Sequence, residues 1–324
     1  MKFSPVAGSL ACVVVVGLAL TACGGSTPAA TSSSQPQTAS ILNNWFAQAE
    51  QGGYWEAMDK QYAKDKNITL KVEQGGPGIQ TIPQVAAGQA DFGVANADEV
   101  MVARSNGLPI VAIAAGFDTN LQCMMYHQGQ SITSFADVNG HQVSRVPSPY
   151  FDYLKSHFKL NNIQDTNFTG SMADFKINPG LVQQCFVTAE PYLAKQTGIS
   201  IGVLSVAKDG GYNPYGNLLF TSDTEITQHP DVVRAVVAAV VQGWTDFLAD
   251  PSGAKTAVLA ANKDADPAAF DYAAQTIKSG GYLGTSPGAM TDARWKTLRD
   301  QLASVGDVPA SFDFTTAFTT KFLP

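Results

Sequence analysis

Charged residues, histidines and cysteines are all scarce in this chain of 324 residues. Only 15% of the residues are charged, and the 27 acidic residues outnumber the 20 basic ones, so the formal net charge is -7. A protein that binds nucleic acid through its phosphates needs an excess of lysine and arginine, and this class is therefore excluded. The histidines do not have the spacing of metal ligands, so no metal site is expected. They are His127, His141, His157 and His229.

A nucleotide-binding loop is also missing, although one stretch invites that interpretation. Residues 75–78 read Gly-Gly-Pro-Gly and follow an alternating apolar run. No lysine with a serine or threonine comes after them, and the Gly-x-Gly-x-x-Gly pattern is absent. The stretch from Gly75 to Val100 instead predicts a tight turn and two successive helix starts, at Thr81 and after Asn96. We expect both helix starts to face a ligand cleft and to offer backbone amides to it.

Long hydrophobic runs are rare, and we do not expect any segment of the chain to be long and apolar enough to span a membrane. Near the N-terminus Lys2 precedes an apolar core from about Leu10 to Leu20. This layout is typical of a signal peptide, predicted over residues 1–22, and it is short for a membrane span. The residues Leu20-Thr21-Ala22-Cys23 resemble the bacterial lipoprotein box, in which the cysteine is acylated; a cleaved signal with a chance cysteine is the alternative.

The residues after Cys23 are small and polar and include prolines, which predicts a flexible tether over 23–38. We therefore expect a soluble body on the extracytoplasmic face of the cell membrane, attached to it through the N-terminal lipid only. Two cysteines, Cys123 and Cys185, remain in the mature chain, in an oxidising compartment. They either form a disulfide or stay as two buried free thiols.

The rest of the chain alternates between strand-like and helical patterns from Ile41 to about Thr221, and is nearly all helical from Pro230 onward. This alternation favours an α/β protein with parallel sheets. We expect one α/β lobe, a second α/β lobe, and an apolar helical tail that packs on the first. Ligands in such sheets bind beyond the carboxyl ends of the strands. A hinged cleft between the lobes is therefore the expected ligand site.

Five segments in this order resemble the NMT1/THI5-like substrate-binding lipoproteins of bacterial ABC importers, a family related to binding proteins for thiamine pyrimidines, nitrate, taurine and alkylsulfonates. The resemblance covers roughly residues 41 to 250. The segments are Trp45–Tyr54, read as the first strand and turn, Gln84–Val94, Gly107–Ala115, Ser131–Val143 and Thr188–Tyr192.

The resemblance implies a periplasmic-binding-protein-like fold of type II, with two crossings between the lobes. Lobe I would comprise residues 39–121 plus 217–324, and lobe II residues 122–216. It also implies a monomeric, non-enzymatic protein without a cofactor. Its partners would be a small-molecule solute, an ABC permease and its ATPase. A rival is an enzyme like the THI5-type pyrimidine synthases, which consume their own histidine and pyridoxal phosphate.

The candidate ligand-binding residues lie where strands end and helices begin. Trp45 and Tyr54 flank a glycine-containing turn and suit an aromatic wall, although Trp45 also suits a buried strand. Glu50 suits an amino-pyrimidine or a cation, or else is a solvated charge; Arg145 suits a sulfonate, or else a surface salt bridge. We expect a thiamine-pyrimidine-like or other small heteroaromatic ligand in preference to an alkylsulfonate, taurine or nitrate. The full set is Trp45, Gln48, Glu50, Tyr54, Asn96, Asp98, Arg145, Ser148, Tyr150, Glu190 and Tyr215.

Overall fold

The computed structural model describes residues 37–324, which form two β-sheets with helices packed on them. The predicted signal peptide and Cys23 lie outside the described residues. The ten strands are β1 (Gln37–Leu42), β2 (Ile68–Glu73), β3 (Phe92–Ala95), β4 (Ile110–Ala114), β5 (Gln122–His127), β6 (Gln142–Arg145), β7 (Gln164–Asn167), β8 (Leu181–Phe186), β9 (Ile201–Ser205) and β10 (Leu218–Ser222). The eleven α-helices are α1 (Gly52–Asp59), α2 (Thr81–Ala86), α3 (Ala97–Ser105), α4 (Pro149–His157), α5 (Ala173–Ile177), α6 (Glu190–Gln196), α7 (Asp223–Gln228), α8 (Pro230–Ala249), α9 (Ser252–Ala261), α10 (Pro267–Ser279) and α11 (Asp292–Val305).

The two sheets have the same plan. The first has the order β2-β1-β3-β10-β4, and β10 runs antiparallel to both of its neighbours. The second has the order β7-β6-β8-β5-β9, and β5 runs antiparallel to β8 and β9. The sheets are therefore mixed: the predicted α/β class is confirmed, and β5 and β10 depart from the parallel arrangement that the alternation favours. The antiparallel strands are the ones that follow the two crossings of the chain.

We call the first sheet with its helices lobe I (residues 37–114 and 218–324) and the second sheet with its helices lobe II (residues 122–205). The chain crosses between them at residues 115–121 and 206–217. The two crossings bond to each other, because Phe117 and Gly216 exchange backbone hydrogen bonds of 2.7 and 3.1 Å. A Cβ on Gly116 would lie 2.1 Å from the carbonyl oxygen of Asn217, so glycine permits this close approach.

Lobe I starts earlier than the sequence predicts. Strand β1 begins at Gln37 and pairs with β2 from its first residue, so the predicted tether ends before residue 38. The segment from Trp45, expected to be the first strand, is instead the loop after β1, followed by a 3-10 helix over Ala49–Gln51. The alternation of buried and exposed residues that marks β2 is not present in this loop, which explains the misplacement.

The helical tail packs mainly on lobe I, as its apolar pattern predicts. Helix α8 lies against α1, and Gly243 allows contact, since a Cβ there would lie 2.2 Å from the carbonyl oxygen of Gly53. By length and composition α8 is apolar enough to cross a membrane, contrary to expectation, but half of its apolar window is buried inside the protein. Helix α11 also packs on α4 of lobe II. The tail therefore contacts both lobes.

A disulfide joins Cys123 of β5 to Cys185 of β8 in lobe II. The two residues lie directly opposite each other in the antiparallel pair. Their side chains are fully buried together with Met125 and Phe175. The bond thus links two central strands of the second sheet.

Candidate functional site

A cavity of about 630 Å³ lies between the two lobes. Its size falls in the range of small-molecule sites. Its walls come from the carboxyl ends of β1, β2 and β3 in lobe I and of β6, β7 and β8 in lobe II, together with the first residue of β5 and the residue before β10. This is where mixed and parallel α/β sheets place their ligands.

The lobe I wall is built by two loops that touch. The amide of Gly75 donates to the carbonyl of Trp45 at 2.8 Å, which joins the loop after β2 to the loop after β1. A Cβ on Gly75 would lie 2.2 Å from the carbonyl oxygen of Asn43. The glycine-rich stretch is therefore needed for loop contact, and residues 76–83 line the cavity, as predicted for this turn.

The lobe II wall is held by side-chain hydrogen bonds between strand ends. The amide of Val146, just after β6, donates to Gln184 Oε1 of β8 at 2.6 Å. The amide of Phe186 donates to Glu190 Oε2 at 2.8 Å, which fixes the first turn of α6 against the end of β8. These bonds set the positions of the amide and carboxyl groups that line this side.

Two aromatic rings from opposite lobes lie parallel at the cavity. The rings of Trp45 and Phe168 have centroids 6.3 Å apart and planes inclined by 8°. Both residues line the cavity. A pair of this kind offers flat apolar surface to an aromatic ligand ring. It also shows that the lobes are in contact on this side of the cleft.

Carboxamide side chains dominate the polar lining. Those that line the cavity are Asn44, Gln48, Gln51, Gln80, Asn96, Gln122, Asn167, Gln184 and Asn217. Each amide offers both a donor and an acceptor. The buried oxygens Asn44 Oδ1 and Gln51 Oε1 have no hydrogen-bond partner, and buried acceptors normally have one. Both oxygens are themselves almost inaccessible, so a ligand with N–H or O–H groups reaches them only where the wall shifts to expose them.

Three carboxyl groups line the cavity, from Glu50, Glu99 and Glu190, whereas no lysine, arginine or histidine of the described residues does so. Glu50 is almost fully buried and accepts a hydrogen bond from Thr188 Oγ1 of lobe II. Removal from water raises the pKa of Glu50 and of Glu99, and raises the pKa of Glu190 to about 7. The charged side chains of the described cavity lining are therefore all acidic.

The structure brings seven of the predicted ligand-binding residues together in the lining: Trp45, Gln48, Glu50, Asn96, Ser148, Tyr150 and Glu190. Asn96 also begins α3, where its amide donates to Glu99 Oε2 at 2.8 Å. It therefore combines the start of a helix with a place in the wall. Tyr150 is buried, and its hydroxyl oxygen accepts from Gln122 Nε2 at 3.4 Å.

Four predicted residues do not line the cavity. Tyr54 is fully buried in α1, where its hydroxyl donates to the carbonyl of Asn217 at 2.5 Å. Asp98 points away from the cavity and accepts from the hydroxyl of Tyr212 at 3.1 Å. Burial, with the neighbouring charge of Glu99 as a lesser cause, raises the pKa of Asp98 to about 7. In both cases the helix turns the side chain inward.

The other two are Arg145 and Tyr215. Arg145 forms two hydrogen bonds of 2.9 and 3.0 Å with the carboxylate of Asp165 on the adjacent strand β7, and its guanidinium lies over the ring of Phe151. The salt-bridge alternative therefore describes Arg145. The hydroxyl of Tyr215 accepts from the amide of Thr291, and its ring lies under Arg294. Tyr215 thus belongs to the contact between the second crossing and α11.

Sequence reasoning missed most of the amides, and Asn217 most clearly. Asn217 stands just before β10 with a φ of 41°, a left-handed conformation that asparagine tolerates. Its side chain donates to the carbonyl of Glu50 at 2.9 Å and accepts from Asn44, and its amide donates to Asn96 Oδ1. The alternation of strand-like and helical segments does not reveal that β10 runs back into the first sheet antiparallel to its neighbours. The position of Asn217 at the cavity therefore could not be predicted.

These features define a two-lobed protein with the fold of the periplasmic binding proteins and a cavity for a small molecule between the lobes. The profile of the NMT1/THI5-like family matches residues 48–254. The chain therefore belongs to the NMT1/THI5-like family.

Known proteins of several kinds are similar to it. The riboflavin-binding protein RibY of Chloroflexus aurantiacus is 21% identical over 340 residues, which cover 96% of each chain. The periplasmic aliphatic sulphonate binding protein SsuA from Escherichia coli superposes with a TM-score of 0.68 at 14% identity, over 88% of this chain and 93% of that chain. The desulfurization enzyme DSZB, in a complex with biphenyl-2-sulfinic acid, superposes with a TM-score of 0.60 at 13% identity, over 89% and 97%.

Proposed function

We propose that this protein is the extracytoplasmic solute-binding component of an ABC importer, and that its ligand is a small planar heteroaromatic molecule, neutral or cationic. The observation that carries the proposal is the cavity lining. It has parallel rings of Trp45 and Phe168, a majority of carboxamides among its polar groups, and no basic side chain from the described part of the chain. Rings stack on the aromatic pair, while ring nitrogens, carbonyls and amino groups pair with the amides.

The similarity to a riboflavin-binding protein agrees with this ligand class, since a flavin is a planar heterocycle with donor and acceptor edges. A thiamine-type pyrimidine has the same features in a smaller ring. A sulfonate, taurine or nitrate fits the wall less well, because the one arginine predicted to meet an anion is paired with Asp165. In the proposed cycle the open cleft takes the solute, closes about residues 115–121 and 206–217, and delivers it to a permease.

A thermal-shift screen tests the ligand class. We expect riboflavin or a 4-amino-pyrimidine to raise the melting temperature at saturating concentration, and hexanesulfonate, taurine and nitrate to leave it unchanged. Binding at a hundred times Kd adds about 2.7 kcal/mol to the free energy of unfolding. A shift with the sulfonates alone would show that the proposed ligand class is wrong.

The rival proposal, an enzyme, has weaker support. A THI5-like synthase needs a histidine beside bound pyridoxal phosphate. Neither a histidine nor a lysine from residues 37–324 lines the cavity, so these residues do not fit that cofactor. The residues Gly198-Ile-Ser-Ile-Gly202 have the Gly-x-Ser-x-Gly spacing, but Ser200 precedes β9 and does not sit on a strand-to-helix turn. Native mass spectrometry would separate the two functions: capture of unchanged ligand supports binding, and turnover supports catalysis.

We also propose that Cys23 carries the lipid that holds the protein to the membrane. The support is the Leu-Thr-Ala-Cys sequence and the polar residues between it and β1. In a bacterial host, the Cys23→Ser variant should leave the membrane fraction or keep its signal peptide. Intact-mass measurement of the wild-type protein should show acyl chains on the N-terminal cysteine.

A further inference from the structure

Two carboxyl groups from different lobes line the same cavity. Glu50 follows β1 in lobe I, and Glu190 begins α6 in lobe II. Thr188, two residues before Glu190, donates a hydrogen bond from Oγ1 to Glu50 Oε1. Glu50 is 2% exposed and Thr188 is 1% exposed. Because the partners of this bond belong to different lobes, the bond joins lobe I to lobe II at this side of the cavity.

Within residues 37–324, no basic side chain forms an ion pair with Glu50 or Glu190 or lines the cavity beside them. Burial away from water is the main cause of the raised pKa of Glu190, and the charge of Glu50 is a lesser cause that acts in the same direction. The charged residues on the helices packed against both segments are Glu56, Asp59 and Lys60 of α1, Lys255 of α9, Asp271 and Lys278 of α10, and Lys195 of α6. Lys60 pairs with Glu56 and Asp59, Lys255 pairs with Asp271, and Lys195 and Lys278 are exposed. The third cavity carboxyl, Glu99, adds further negative charge.

Two carboxylates that approach each other away from water do not both stay ionised. We propose that closure of the cleft takes up a proton, held by Glu50 and Glu190, so that acid favours the closed form. In the open form each carboxyl faces water and ionises near the ordinary pKa of glutamate. The proton comes from solvent as the lobes close and returns to solvent when they open.

The direction of the effect follows from the raised pKa values. A group that binds its proton more tightly in the closed form stabilises that form at low pH, and the stabilisation is lost as the pH rises through the pKa of the closed form. The stabilisation of the closed form by a proton on Glu190 is expected to be lost between about pH 4.5 and about pH 7. With one proton taken up, the ratio of closed to open protein falls at most about tenfold per pH unit in this window.

The same pair also acts on specificity, and this consequence rests on the proposed function. A ligand with a positive charge replaces the proton between the two carboxyls, whereas an anion brings a third negative charge. Cations should therefore bind with proton release, and neutral ligands without it.

Small-angle X-ray scattering of the full-length protein without ligand tests the proposal. We expect the radius of gyration of the wild type to rise as the pH increases from about 5 to about 8. Glu50→Gln and Glu190→Gln remove the charge and keep the acceptor oxygen for Thr188 and Phe186. Both variants should remain compact at the higher pH.

Glu73→Gln is the matched control, since Glu73 is an exposed carboxylate of lobe I paired with Lys71; it should open like the wild type. Circular dichroism at each pH establishes that all four proteins are folded. A wild-type radius that does not change with pH overturns the proposal, and so does a pH response that persists in both glutamine variants. Because no ligand is used, either failure leaves the importer function to be decided by the thermal-shift screen.

Discussion

Asn217 shows how one residue can hold the wall of the cavity together. Its side chain and backbone bond to Asn44, Glu50, Tyr54 and Asn96, which belong to separate segments of lobe I. Replacement by alanine removes the side-chain bonds and leaves the carbonyl of Glu50 buried without a donor. An unsatisfied buried group costs about 1–3 kcal/mol.

We therefore expect Asn217→Ala to lower the free energy of unfolding by about 2–3 kcal/mol, measured by urea denaturation. Part of the loss could come from the left-handed backbone alone. Asn217→Gly controls for this, because glycine adopts a φ of 41° without steric strain. An Asn217→Gly variant as stable as the wild type would contradict the role of the hydrogen bonds.

Gln51 tests whether an acceptor oxygen without a hydrogen-bond partner in the protein forms a hydrogen bond with the ligand. Gln51→Leu should weaken binding of the strongest binder in the thermal-shift screen about tenfold or more, measured by calorimetry, with no loss of stability. Gln130→Leu is the control, since Gln130 Oε1 is also unpartnered but lies outside the cavity. Equal effects of the two variants on affinity would count against a ligand contact at Gln51.

At the residue scale, sequence reasoning placed side chains in the right segments but not always on the right face. Trp45, Gln48 and Glu50 lie in the segment between β1 and α1, and this segment as a whole runs along the cavity edge. Tyr54 and Asp98 lie inside helices, where one residue more or less rotates a side chain by about 100°. The packing of α1 on α8 decides that rotation, and this packing is tertiary information.

At the scale of elements, the disulfide between β5 and β8 ties the middle of lobe II. The cysteines are 62 residues apart in sequence, so the bond restricts a long loop of the unfolded chain. On the loop-entropy account, the double variant Cys123→Ala, Cys185→Ala should lose about 4 kcal/mol of stability. Urea denaturation with and without reductant gives the same comparison on the wild type. If peptide mapping of the unreduced protein finds free thiols at both positions, the prediction fails.

Helix α11 holds both crossings through one side chain. Arg294 donates to Asp118 Oδ1 at 2.5 Å and to the carbonyl of Asn213 at 2.8 Å, and it lies 3.9 Å from the ring centroid of Tyr215. Asp118 belongs to the first crossing and the other two residues to the second. The helical tail was predicted to pack on lobe I, but this role at the crossings depends on long-range contacts that periodicity does not reveal.

Arg294→Met should therefore loosen the crossings while the sheets remain intact. We expect faster amide exchange in residues 115–121 and 206–217, read by mass spectrometry, and a loss of about 2 kcal/mol in stability. Arg299→Met serves as control, because Arg299 lies on the same helix and bonds to the carbonyls of Ala310 and Phe312. Faster exchange at the crossings in the control as well would assign the effect to α11 as a whole.

For the whole molecule, the order of helices and strands could be predicted because alternation and helical periodicity are local properties. The helix start that the sequence predicts after Asn96 is the start of α3, which begins at Ala97. The direction of β5 and β10 could not be predicted in this way. Their antiparallel course depends on where the chain re-enters each sheet, and hence on how the two lobes face each other.

The position of β10 affects the order in which the two lobes can fold during synthesis. Strand β10 lies between β3 and β4, so the first sheet has a gap until residue 222 has been made, whereas all strands of the second sheet lie between residues 122 and 205. Lobe II can thus fold while the chain is still being synthesised, whereas the first sheet of lobe I cannot be completed until β10 is present. Pairing between strands that are far apart in sequence is also slow. Pulse-labelled amide exchange during refolding should protect β6 and β8 before β3 and β4.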